Sequence, residues 1–147
     1  MKKFASIFSI IFLLLSAQPA NAAVKVSVAN SSKISTKTGL VSIKVSGLPM
    51  DHGIYISQCM GIDKGATEPA ACNPSKASKL WVSNVPADIK MGATAGTGKL
   101  SIKDDKYFKD GDCIHTKCII YVTNDHNATD KTFSQAIPFK FGGINLF

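Results

Sequence analysis

The sequence predicts an all-β fold, a seven-stranded immunoglobulin-like β-sandwich with two local disulfides. Three observations carry that expectation: apolar residues recurring at every second position, turn signals at short intervals between those runs, and four cysteines spaced to close local loops. Val24, Val26 and Val28 alternate with polar or small neighbours, and so do Val41, Ile43 and Val45. Ile54-Tyr55-Ile56-Ser57-Gln58 leads into Cys59 as the third strand, and Leu80-Trp81-Val82 forms a short fourth. Leu100 and Ile102 sit between Lys99, Ser101 and Lys103 as the fifth. Cys118-Ile119-Ile120-Tyr121-Val122 is apolar on both sides, as a central strand is. The seventh, Ile137-Pro138-Phe139-Lys140-Phe141, belongs on an edge or at a bend, because Pro138 has no N–H for a ladder.

Between these runs lie Gly39, Gly47-Leu48-Pro49, Asp51-His52-Gly53, Gly96-Thr97-Gly98, Asp110-Gly111-Asp112 and Thr123-Asn124-Asp125. Each is a turn signal with a backbone reason. No segment sustains apolar spacing at three and four residues, so no helix of consequence is expected.

The chain has 147 residues, 45% hydrophobic and 18% charged, the composition of a globular protein and the length of one ordinary domain. Met1-Lys2-Lys3, the apolar run Phe4–Leu15 and the small residues Ala20 and Ala22 have the three parts of a secretory signal. The expected organisation is a signal peptide over 1–22, a sandwich domain over 23–141 and a tail over 142–147. No second long apolar run offers a membrane span. Seventeen Lys, no Arg and ten acidic residues give a formal charge of +7; without residues 1–22, fifteen Lys remain and the charge is +5. A small, basic, secreted monomer is the expectation.

Cys59, Cys72, Cys113 and Cys118 all follow the export signal, so disulfides are the default reading. Four cysteines allow three pairings. The sequential pairing closes two short loops, the first holding Gly61, Gly65 and Pro69, which cannot form regular structure alone. Zinc would want paired C-x-x-C spacing, which these cysteines lack.

Tyr55-Ile56-Ser57-Gln58-Cys59, Ala71-Cys72-Asn73-Pro74, Gly98-Lys99-Leu100-Ser101-Ile102 and Asp112-Cys113-Ile114-His115-Thr116-Lys117-Cys118 together resemble the neocarzinostatin family, apoproteins that carry enediyne chromophores in actinomycetes. The resemblance spans roughly Val24 to Phe141. It implies a bacterial source, the two sequential disulfides, and a cleft at one end of the sandwich, floored by the first disulfide and walled by aromatic rings. Carried onto this chain it implies a binding site from Met60, Gly61, Met91, Tyr107 and Phe108, with no cofactor beyond a non-covalent chromophore. The family's aromatic two residues past the first cysteine is Gly61 here, and none follows Pro74 closely, so the cleft is expected to be wide and to hold flat conjugated ligands only at micromolar affinity.

Catalysis is not expected. No Gly-x-Ser-x-Gly elbow is present, Glu68 is the only Glu, and His52, His115 and His126 read as loop residues. Asp125, Asn127 and Asp130, with Asp110 and Asp112, lack the spacing of a calcium loop and read as turn residues. Lys25, Lys44, Lys103 and Lys140 alternate with core positions and must face solvent. Without Arg forks, contact with DNA or anionic envelope polymers should be weak and salt-sensitive. The leading functional expectation is a secreted, non-enzymatic binding protein for a small apolar ligand. The alternative is an extracellular interaction module that keeps the sandwich without the ligand.

Overall fold

The computed structural model describes residues 23–97 and 99–142. The expected signal peptide and most of the expected tail lie outside them. In chain order the elements are β1 (Lys25–Val28), β2 (Leu40–Ser46), β3 (Ile54–Met60), β4 (Lys79–Ser83), α1 (Pro86–Lys90), β5 (Thr94–Ala95), β6 (Leu100–Lys103), β7 (Tyr107–Phe108), β8 (Gly111–Asp112), β9 (Cys118–Asn124) and β10 (Ser134–Phe139). No helix among the described residues is long and apolar enough to cross a membrane.

Among the described residues ten strands form where seven were expected. The seven expected ones make the frame. The three additions, β5, β7 and β8, are two-residue pairings, too short to display an alternation in sequence. For the same reason α1 carries no helical periodicity; Pro86 starts it, with its fixed φ and missing N–H suited to a first turn.

One sheet runs β1-β2-β6 and the other β10-β9-β3-β4-β5, while β7 and β8 form a separate hairpin ribbon. β10 is an edge strand, which accommodates Pro138 opposite Ile119. Val26, Val41, Ile43, Leu100 and Ile102 of the small sheet are buried with Ile54, Ile56, Val82, Ile120, Val122 and Phe139 of the large one. Full burial of each such side chain contributes roughly 1.5–3 kcal/mol, so this shared layer holds the two sheets together. Lys25, Lys44, Lys103 and Lys140 are all exposed, as the alternation requires. The open side of the sandwich is latched by Gln135 on β10. Its amide accepts from the Val26 N–H at 3.1 Å and donates to the Val26 carbonyl at 2.8 Å.

Both sequential disulfides are formed, Cys59–Cys72 and Cys113–Cys118. The Asn of Cys-Asn-Pro fastens the first loop to the body. Buried Asn73 has its amide nitrogen 2.7 Å from Gln58 Oε1, 2.9 Å from Ser78 Oγ and 3.0 Å from Asp105 Oδ2. Gln58 in turn donates to the Asp105 carbonyl at 2.6 Å and accepts from the Asp105 N–H at 2.9 Å. Beside this network Gly39 adopts φ +62°, and a Cβ there would fall 2.1 Å from the Asp104 carbonyl oxygen; only glycine permits the approach.

Candidate ligand-binding site

Period two turns Ile54 and Ile56 into the core and so turns Tyr55 and Ser57 outward, onto the free face of the large sheet. Tyr55 pairs with Trp81 of β4 and Ser57 with Lys79, while Cys59 bridges to Cys72 one step further along. These residues border a groove of about 430 Å³ that runs from Tyr55 and Trp81 past Lys79 and Lys76 to exposed Cys72.

The aromatic end of the groove is fixed by the turn that follows β9, the strand paired with β3. Trp81 Nε1 donates to Asp125 Oδ2 at 3.0 Å, and the Tyr55 hydroxyl lies 2.5 Å from His126 Nδ1. The Tyr55 and Trp81 ring centroids are 6.0 Å apart, and the His126 ring lies 5.3 Å from Trp81. Buried Asp125 also accepts from the Gly53 N–H at 2.9 Å and the Asn127 N–H at 2.9 Å. Burial pushes its carboxyl up, but these hydrogen bonds outweigh that and leave it below the ordinary carboxylate range. Asp125 therefore stays ionised and holds Trp81 in one orientation. Burial and the Asp125 charge raise the Tyr55 phenol above its usual value, so it stays a neutral, polarisable ring. The groove offers a rigid aromatic surface at one end, a disulfide at the other and two lysines between. That combination suits stacking of a flat ring.

Asp112 and Asp130 are engaged locally. Asp112 accepts from the N–H groups of Ile114 and His115 and contacts His115 Nδ1 at 2.7 Å, and Asp130 accepts from Thr132. Among the described residues, no three His, Cys, Asp or Glu side chains gather as a metal site.

The solved structure of macromomycin, a protein of the neocarzinostatin family, matches this chain with a TM-score of 0.52 at 18% identity, covering 82% of this chain and 100% of that one. The two proteins share a fold. No protein-family model and no curated protein matches the sequence.

Within the fold shared with macromomycin, the five residues expected to line a cleft do not converge on the groove. Met60 and Phe108 turn inward and pack against the core. Phe108 also covers Gly111 across the hairpin. Tyr107 is 57% exposed on that hairpin. Gly61 donates to the Lys117 carbonyl at 2.7 Å, and a Cβ there would lie 3.1 Å from the same oxygen. A side chain at position 61 would require the Lys117 backbone to give by a few tenths of an ångström. Met91, 62% exposed, follows α1 and sits at the Ile54 end of β3, whereas Met60 and Gly61 sit at the other end. A seven-residue strand, about 20 Å long, separates them. Tyr55 and Trp81 carry the aromatic surface instead. Their outward phase was readable from the alternation, but their adjacency needed the strand pairing.

Proposed function

We propose that this protein is an exported, non-enzymatic binding protein of the neocarzinostatin type, which seats a small, flat, largely apolar molecule in the groove between Tyr55, Trp81 and the Cys59–Cys72 disulfide. The observation that supports this reading is the fixed aromatic pair at the end of the groove opposite that disulfide, with Trp81 held by ionised Asp125. Offset or edge-on aromatic contact adds about 0.5–1.5 kcal/mol beyond the area a ligand buries. Lys76 and Lys79 favour a ligand carrying an acidic substituent. One wall of rings rather than two argues for micromolar affinity.

Trp81 is the only tryptophan, so its fluorescence reports the groove directly. Titration with 2-naphthoate is expected to change that emission with a micromolar Kd, and Tyr55→Ala to weaken binding roughly 2–10-fold. An unchanged emission at millimolar naphthoate, with no heat in calorimetry, would sink the proposal.

The second reading, an interaction module with weak contact to DNA or anionic polymers, draws on exposed Lys25, Lys44, Lys103 and Lys140. It predicts binding that is mostly lost between low and physiological salt. Export itself predicts a mature chain beginning at Ala23.

A further inference from the structure

A larger hollow lies away from the groove, at the second disulfide. The Cys113–Cys118 loop, the Ser31-Ser32 turn and the end of β10 enclose about 660 Å³, within the range of small-molecule pockets and room for about 20 waters. Its walls are apolar: Ile114, Pro138, Phe139, Phe141 and the disulfide itself. The two Phe rings meet edge to face at 5.8 Å. Its rim is basic. Lys117 and Lys140 line it, and among the described residues neither is paired with a carboxylate. His115 also lines it, but its Nδ1 is occupied by Asp112. No Asp or Glu among the described residues lines the cavity. The mouth is held in shape by main-chain bonds, with the Lys140 N–H donating to the Ser31 carbonyl at 2.7 Å and the Ile34 N–H donating to the Lys140 carbonyl at 2.9 Å.

We propose that this cavity is a second binding site, for a medium-chain carboxylate whose apolar body lies against Ile114, Phe139 and Phe141 and whose headgroup sits between Lys117 and Lys140. An apolar chamber with unpaired ammonium groups at its mouth complements an amphiphile with one negative end. A neutral hydrocarbon would leave the lysines unused, and a dianion would bring more charge than the apolar walls admit. The site is independent of the groove, since the two share no lining residue.

Calorimetry with dodecanoate, below its micelle concentration, tests the assignment, with dodecanol as the uncharged probe. Dodecanoate is expected to bind at micromolar Kd. Ser32→Trp, at an exposed turn position on the cavity lining, should fill the mouth and weaken both probes at least about tenfold. The Lys117→Ala/Lys140→Ala variant should weaken dodecanoate up to about tenfold and leave dodecanol unchanged. Trp81→Phe should change neither. Absence of dodecanoate binding, indifference to Ser32→Trp, or equal losses of the two probes in the lysine variant would overturn the proposal. A loss confined to Trp81→Phe would place the amphiphile in the groove and overturn it equally.

Discussion

The two disulfide loops use the same staple for opposite surroundings. Cys59–Cys72 joins a buried half-cystine on β3 to an exposed one, and its loop is tied down by polar atoms: Asn73, Gln58, Ser78 and the Asp105 segment. Cys113–Cys118 has both halves buried, and its loop is tied by Asp112 to neighbouring N–H groups and backed by phenylalanines. The first loop is positioned by directional bonds that fix one arrangement, and it borders the groove. The second adds apolar contact to its Asp112 bonds, and it borders the cavity. A polar clamp resists displacement but responds to protonation nearby, whereas an apolar seat responds to whatever fills it.

The largest contrast should appear with pH. Asp104, beside the first loop's clamp, is 2% exposed, and neither carboxylate oxygen has a hydrogen-bond partner. Burial, with the Asp105 charge adding to it, raises its carboxyl from 3.8 to about 8. Between those values the folded chain keeps a proton that the unfolded chain has lost, so stability falls as pH rises through the interval, by up to about 6 kcal/mol. Urea denaturation at pH 5 and pH 9 should show that decline, and Asp104→Asn should flatten it. A wild-type midpoint that rises with pH over this range would place Asp104 in a different environment.

The staples themselves should differ next. Replacing Cys59 and Cys72 by Ala is expected to cost about 3 kcal/mol and replacing Cys113 and Cys118 about 2 kcal/mol, because the closed loops span 13 and 5 residues. Chemical denaturation of both variants measures the pair. If the shorter loop proved the more costly, packing against the phenylalanines would outweigh chain closure. Smallest is the clamp without its staple removed: Asn73→Ala, with both disulfides intact, should cost about 1 kcal/mol by removing its bonds to Gln58, Ser78 and Asp105. It should also blunt the naphthoate response of Trp81, since Cys72 precedes Asn73 directly. Loss of stability with an unaltered groove would show that the disulfide alone sets the groove's edge.

The frame of this fold is legible in alternation because strands buried on one face advertise it. Val41, Ile43 and Val45 could be placed from sequence for that reason, as could the outward lysines. β5, β7 and β8 could not, since two paired residues have no period. The site was harder still. Tyr55 and Trp81 meet only through the β3–β4 pairing, and Asp125 and His126 arrive from a turn more than forty residues beyond Trp81 in sequence. Met60 and Phe108 were expected at a cleft, but nothing in their own neighbourhood distinguishes a groove-lining side chain from one that turns inward.

Gln135 has a consequence for how the chain finds its arrangement. Its amide offers one donor group and one acceptor to a single residue of β1, and in an antiparallel ladder neighbouring residues direct their N–H and C=O groups to opposite sides. Slipping β1 by one position would present the wrong side of the backbone to that amide and rotate Val26 out of the core together. One side chain from the last strand thereby proofreads the placement of the first.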